Sequence, residues 1–312
     1  MESHEPKMVF NTQTELEKLK DVSEVKKIEL DEKYFEWART NLDSQEYETI
    51  KTNYESLDAY KFKYLSNGLK IAAYSWMPKN ITQKLPLVIW NRGGTRTYSS
   101  IGNSEGKRGP LYSNFPCELA KLDAIVVGSE YRGGLDSEGE DEWGGRDVDD
   151  VVRLREITHE LPLVKPGKTI VMGGSRGGAM SYLLASKESW VGGVVSLAGA
   201  TDLKMASEAR PEMKEIFTEF FGGSDEEMAK RSATHFYNEI PKDLPMLILQ
   251  GAKDDRVSVE EARKLVDLLE SSSHNVEYHE FPDGGHGFYL PGRSNADKAM
   301  QIIKEFIQKI PT

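Results

Sequence analysis

An α/β fold, with a mostly parallel sheet covered by helices on both faces, is what this sequence predicts, on three observations. Short apolar runs of strand length recur along the chain, helix-length amphipathic stretches separate them, and turn residues punctuate the joins. Most of the runs are continuously apolar, as strands buried on both faces are. At 312 residues, the chain is also long enough to bury one sizeable core.

Residues 11–57 read as helical, and residues 1–57 are taken as an extension ahead of an α/β domain at 58–312. Asp43 and Glu46 have the spacing of a capping box, and Tyr47, Ile50, Tyr54 and Leu57 follow at helical intervals. Tyr34, Phe35 and Trp37 form an aromatic cluster expected to pack against the main domain. The extension is expected to lie near the site described below, as a cap that restricts large substrates. The alternatives are a remote face, or a contact that joins two subunits into a homodimer.

A hairpin follows, with strands near 59–65 and 69–77 joined at Ser66-Asn67-Gly68. The main sheet continues through Leu87–Trp90, Ala124–Val127, Thr169–Met172, Gly193–Leu197, Pro245–Gln250 and Val276–Phe281. Helices are expected near 113–121, 147–160, 177–187, 259–271 and 295–309. Ser258 and Glu261 have the spacing of a capping box for the helix at 259–271. Residues 202–243 interrupt the alternation with polar helices and a Gly222-Gly223 break, and read as a short lid.

Composition excludes several function classes. The formal net charge is −11, of which residues 1–60 hold −7, and an acidic chain without a basic face is a poor nucleic-acid binder. No apolar run approaches the length of a membrane span. The polar start, Met1 to Phe10, lacks the apolar segment of a signal peptide, so a cytoplasmic location is expected. The single cysteine, Cys117, excludes an internal disulfide and reads as a buried structural residue. His4, His159, His235, His274 and His279 form no spaced cluster with cysteine or carboxylate, so neither a metal nor another cofactor is expected.

The chemistry centres on Gly173-Gly174-Ser175-Arg176-Gly177. This G-x-S-x-G segment lies between the strand Thr169–Met172 and a helix that opens at Gly178. A sharp strand-to-helix turn exposes a serine hydroxyl at the top of a sheet, and the helix N–H groups then face any negative charge that develops there. A serine hydroxyl is a weak nucleophile until a base takes its proton, and the base needs an orienting acid. Asp254 and Asp255 follow the Pro245–Gln250 strand, and His286 follows the next one on a glycine-flanked loop. Asp254 lies 79 residues beyond Ser175, and His286 a further 32. Serine, acid and histidine thus occur in that order, each just past a strand, as in α/β hydrolases.

At these residues the chain resembles the catalytic domain of the prolyl oligopeptidase family of α/β hydrolases. The segments that carry the resemblance are Glu130–Gly134, Trp143–Val151, Gly173–Gly178, Arg231–Phe236, Gly251–Val257 and Gly284–Phe288, and it runs from about Tyr60 to the C-terminus. It implies an α/β-hydrolase fold and a triad of Ser175, Asp254 and His286. The large family members carry a β-propeller ahead of this domain; only some 60 residues precede it here, so a propeller-free chain is expected. The implied activity is cleavage of an ester or amide through a Ser175 acyl-enzyme. The substrate would be a short peptide, or for a carboxylesterase a small acyl ester. A non-catalytic binding protein on this scaffold is disfavoured by the intact triad.

A tetrahedral oxyanion needs donors already aimed at it. The N–H of Arg176, directly after the nucleophile, is the first. Many relatives carry His-Gly-Gly-Pro where this chain has Arg92-Gly93-Gly94-Thr95, and a backbone N–H of Gly93 or Gly94 is expected to be the second. Arg92 is a candidate for binding a substrate carboxylate. The favoured reading pairs Arg92 and Arg176 with the acidic loop Asp136–Glu142, and Arg132 with a carboxylate of Asp147–Asp150.

Overall fold

Nine strands among the described residues form a single sheet in the order β1-β2-β3-β5-β4-β6-β7-β8-β9. The structure is a computed structural model that describes residues 11–99, 101, 114–290 and 293–310. The strands are β1 (Val22–Lys27), β2 (Leu57–Ser66), β3 (Leu69–Pro78), β4 (Leu87–Asn91), β5 (Ile125–Ser129), β6 (Thr169–Gly174), β7 (Val191–Leu197), β8 (Met246–Gly251) and β9 (Val276–Phe281). From β5 to β9 the neighbours pair in parallel, while β1, β2 and β3 add an antiparallel edge. The β2–β3 hairpin turns through Asn67 and Gly68, both at positive φ, the backbone that a two-residue hairpin turn requires.

Helices cover both faces. Helices α5 (Asp147–His159), α6 (Arg176–Lys187) and α11 (Val259–Ser271) lie on one side, where Ile89, Ile125, Val127 and Val171 meet Val151, Leu154, Leu184 and Leu265. On the other side, α4 (Asn114–Ala120) and α12 (Ala296–Lys309) cover Val88, Val126, Ile170 and Met172 with Leu119, Ala299, Ile303 and Phe306. Neighbouring residues of one strand thus enter opposite cores, which is why the strands read as unbroken apolar runs.

The region 11–57 departs from the helical expectation. It contains α1 (Thr12–Glu17), α2 (Glu32–Asn41) and α3 (Ser44–Ser56), with α3 opened by the Asp43–Glu46 capping box. Between α1 and α2, however, β1 pairs antiparallel with β2 and extends the sheet. A bulge between Ser23 and Lys26 inserts extra backbone, so Val22 and Val25 both turn toward the core. The resulting three-residue spacing imitates a helix in sequence. The extension is therefore built into the sheet edge. In its aromatic cluster, Phe35 meets Tyr54 of α3 edge-on at 5.4 Å, and Tyr34 and Trp37 contact each other while staying half-exposed.

The segment 202–243 holds α7 (Leu203–Ala209), α8 (Pro211–Phe221), α9 (Asp225–Ala229), α10 (Ala233–Phe236) and a 3₁₀ turn at Tyr237–Glu239. Gly222 ends α8 with a positive φ. A small third core joins this segment, through Phe217, Leu203 and Met228, to Ala179 of α6 and to the loop residues Trp143 and Val257.

Under this segment, Glu261 of α11 is almost fully buried. Ser258 caps α11 by accepting from the N–H of Glu260, whereas the Glu261 carboxylate faces the N–H groups of Thr201, Asp202 and Ser258. Burial pushes the Glu261 carboxyl up to about 7, against those N–H groups, and the nearby Asp202 pushes it the same way. A glutamic acid in an unfolded chain titrates near 4.3. Between about pH 4.3 and 7 the folded state therefore holds a proton that the unfolded state releases, so stability falls as pH rises through this window. Glu261→Gln should flatten that fall and make the protein more stable than wild type at about pH 8, by up to about 3 kcal/mol. Urea unfolding at both ends of the window checks this; an unchanged pH slope would contradict it.

Candidate active site

The connection from β4 runs to β5 on one side, and that from β6 runs to β7 on the other. A crevice opens at the carboxyl ends of two parallel strands whose connections diverge in this way. The loop after β4 carries Arg92-Gly93-Gly94, and the turn after β6 carries Ser175. Sheet topology alone puts these two segments side by side.

Ser175 occupies that turn with φ 56° and ψ −123°, a strained backbone for a residue with a side chain. The surroundings leave it no alternative. A Cβ on Gly173 would run into the Gly177 backbone, and one on Gly177 into the carbonyl of Asn91. Gly93 lies against the turn, so that its own Cβ would be 3.4 Å from the Cβ of Ser175. Bonds from the Ser175 N–H to the Leu197 carbonyl, and from the Gly178 and Ala200 N–H groups to the Ser175 carbonyl, hold the turn in place.

His286 and Asp254 meet as the sequence order suggests. Nδ1 of His286 lies 2.9 and 3.0 Å from the two Asp254 oxygens. Three further donors fix the carboxylate: the Arg256 N–H at 2.8 Å, the Val257 N–H at 2.9 Å and Gln250 Nε2 at 3.1 Å. The Asp254 side chain is fully buried, while Asp255 is exposed and makes no such bond. With Nδ1 held as the donor, Nε2 of His286 is left to accept a proton. Ser175 and His286 line one cavity of about 400 Å³ together with Arg176, Gly93 and Gly94.

The backbone N–H groups of Arg176, Gly93 and Gly94 donate to no protein group among the described residues. They are free to meet an oxyanion on the carbonyl side of Ser175. The Arg176 side chain has another task. Its guanidinium is 1 % exposed and bonds Asp141 at 2.6 and 2.7 Å, Asp147, and the Gly94 carbonyl at 3.0 Å. Burial alone would lower the Arg176 pKa, but the two carboxylates raise it. Burial likewise opposes the charge of Asp141, yet Arg176 and the N–H groups of Arg96 and Trp143 hold its carboxyl below the usual range. Burial pushes Asp147 up.

Arg92 is corrected by the structure. It is as buried as Arg176, and its donors reach the carbonyls of Glu130, Gly93, Arg96 and Tyr98, with the Glu130 carboxylate 3.1 Å away. No donor remains for a substrate carboxylate, so it organises the loop instead. Its acid is Glu130, outside the Asp136–Glu142 loop; Arg176 does pair within that loop, and Arg132 pairs with Asp150.

The cavity also takes in residues that sequence reasoning did not single out: Tyr98, Phe115, Tyr289 and Leu290 from loops and α4, and Met213, Ile216 and Phe217 from α8. The i, i+3, i+4 spacing of the α8 trio was the available signal. Among the described residues, none of 11–57 lines the cavity; residues 1–10 of the expected cap lie outside the described residues. Cys117 is buried, and burial raises its thiol pKa, as for an inert structural cysteine. Among the described residues no group of His, Cys, Asp and Glu is placed to hold a metal ion.

A sequence model of the prolyl oligopeptidase family matches residues 114–310. The chain is 26% identical to the uncharacterized peptidase YtmA of Bacillus subtilis, over 80% of this chain and 91% of that protein. It is 27% identical to dipeptidyl aminopeptidase BIII of Pseudoxanthomonas mexicana, over 69% of this chain but only 32% of that one. The fold matches the acylaminoacyl peptidase of Pyrococcus horikoshii with a TM-score of 0.69 at 16% identity, covering 83% of this chain and 42% of the peptidase.

Asp254→Asn should lower kcat on the order of 10⁴-fold, the loss that follows in serine proteases when an amide replaces the orienting acid and holds the imidazole in the wrong tautomer. Asp255→Asn should leave kcat within a few-fold. Parallel steady-state kinetics check the pair, and a large loss confined to the Asp255 variant would reverse the assignment.

Proposed function

The chain belongs to the prolyl oligopeptidase family, and from that premise we propose that it cleaves the ester or amide bond of a small acyl substrate or short peptide through a Ser175 acyl-enzyme. One observation carries the proposal. Ser175 on its strained turn and His286, held by Asp254, line the same cavity, beside backbone N–H groups that have no protein partner among the described residues.

In this reading Ser175 Oγ attacks the substrate carbonyl while His286 Nε2 takes its proton. Asp254 holds Nδ1–H and stabilises the imidazolium that forms. The N–H groups of Arg176 and Gly93 receive the oxyanion. The intermediate collapses, His286 hands its proton to the leaving alcohol or amine, and the acyl group stays on Ser175. Water, deprotonated by the same imidazole, then releases the acid.

Peptidase chemistry is the reading that family membership favours. Carboxylesterase activity is favoured by the cavity wall, where Met213, Ile216, Phe217 and Phe115 offer apolar surface to an acyl chain. A cytoplasmic setting fits the lone buried Cys117. Among the described residues no helix is long and apolar enough to cross a membrane.

A common acyl-enzyme makes a sharp prediction. With hydroxylamine competing against water, the p-nitrophenyl ester and the p-nitroanilide of one acyl group should give the same ratio of hydroxamate to acid. The leaving group has gone before the ratio is set. Different ratios from the two substrates would contradict acyl transfer through one intermediate.

A further inference from the structure

We propose that the Tyr289 hydroxyl positions the leaving group, by donating a hydrogen bond to an acceptor three bonds beyond the scissile atom. This rests on the hydrolase reading above and adds a requirement on the part of the substrate that departs.

A glycine makes room for this hydroxyl. Gly174 immediately precedes Ser175, and a Cβ there would stand 2.2 Å from the Tyr289 oxygen. Any side chain at 174 would take the space in which the hydroxyl sits. Consecutive Cα atoms are about 3.8 Å apart, so the phenol lies close to the Ser175 backbone, and Gly174, Ser175 and Tyr289 all line the cavity. The ring is held on two sides, edge-on to Phe115 and to Phe288 at 5.4 Å each. Its oxygen has no hydrogen bond among the described residues, yet it is not sealed from the cavity. A polar atom set among Trp90, Phe115 and Leu290 lacks a partner that a substrate can supply. Burial and the charge of Asp254 both raise the Tyr289 pKa, so the proton stays on the oxygen and the hydroxyl remains a donor.

The loop decides which part of the substrate it meets. His286 hands its proton to the departing alcohol or amine, which therefore lies beside the imidazole. Tyr289 is three residues further along the same turn. That turn is closed by bonds from the Phe288 N–H to the Gly285 carbonyl and from the Leu290 N–H to the Gly287 carbonyl. Met213, Ile216 and Phe217 come from α8 instead and are left to the acyl group. In a 2-methoxyethyl ester the ether oxygen is three bonds from the scissile oxygen. In a peptide, the carbonyl oxygen of the residue after the cleaved bond is three bonds from the scissile nitrogen. Both acceptors reach the same place.

The test sets 2-methoxyethyl acetate against butyl acetate, in which a methylene replaces the ether oxygen, as competing substrates in one vessel. The acyl group is common to both, and their intrinsic reactivities cancel when the Tyr289→Phe variant is compared with wild type. Removing the hydroxyl should lower the methoxyethyl-to-butyl ratio of kcat/KM about fivefold, the size of one neutral hydrogen bond. A merely structural effect would slow both esters alike. An unchanged ratio, or a higher one in the variant, would overturn the role of Tyr289. So would failure of wild type to cleave either alkyl ester while it still turns over p-nitrophenyl acetate. Failure to cleave any of the three substrates would instead overturn the hydrolase reading.

Discussion

The buried guanidinium of Arg176 is the interaction on which the site depends. It belongs to the residue that follows Ser175, so it anchors the start of α6. From there it reaches Asp141 and Asp147 on the segment leading into α5, and the Gly94 carbonyl on the loop after β4. Asp141 completes the circuit by accepting the Arg96 N–H at 2.8 Å. Three segments far apart in sequence are thus tied around one cation. Removing a single member of such a buried cluster typically costs about 3–5 kcal/mol, because a charge is left without its partner. The arrangement is also stiff, since Tyr131 and Trp143 stack on the guanidinium at 5.2 and 5.5 Å.

Rigidity there has a chemical use. Oxyanion donors are effective when they are aimed before the charge develops. The donors expected here are backbone N–H groups, which move only if their segments move. Arg92 adds a second tie by binding the carbonyls of Glu130, Gly93, Arg96 and Tyr98. Side chains that in sequence look poised for substrate thus act on the backbone of the cavity wall. The close backbone packing around Ser175, which only glycine permits at 173 and 177, holds this serine in its strained turn.

Much of this was legible in the sequence, because it follows from local rules. Strand and helix positions in the α/β domain came from apolar runs and caps, and the Ser175 turn from glycine spacing. The Asp254–His286 contact was implied by two loops on the same edge of a parallel sheet. What was not legible depended on a third dimension. The β1 bulge gave Val22 and Val25 a helix-like spacing, so a strand was read as helix. Arg176 meets the Asp136–Glu142 loop as expected, but the sequence does not show which acids it takes: Asp141, 8 % exposed, and Asp147 from beyond the loop. Arg92 looked like an anion site because sequence does not show that four carbonyls surround it. The attachment of the extension was hidden for a similar reason: nothing in residues 11–57 reveals that they join the sheet edge.

The most direct test of the central claim, that Ser175 carries the acyl group, is covalent. Incubation with a fluorophosphonate, followed by intact mass and peptide mapping, should show one adduct per chain, on the peptide that contains Ser175. Ser175→Ala, with an unchanged circular dichroism spectrum, should take up none. An adduct on another residue, or full labelling of the folded alanine variant, would contradict Ser175 as the nucleophile.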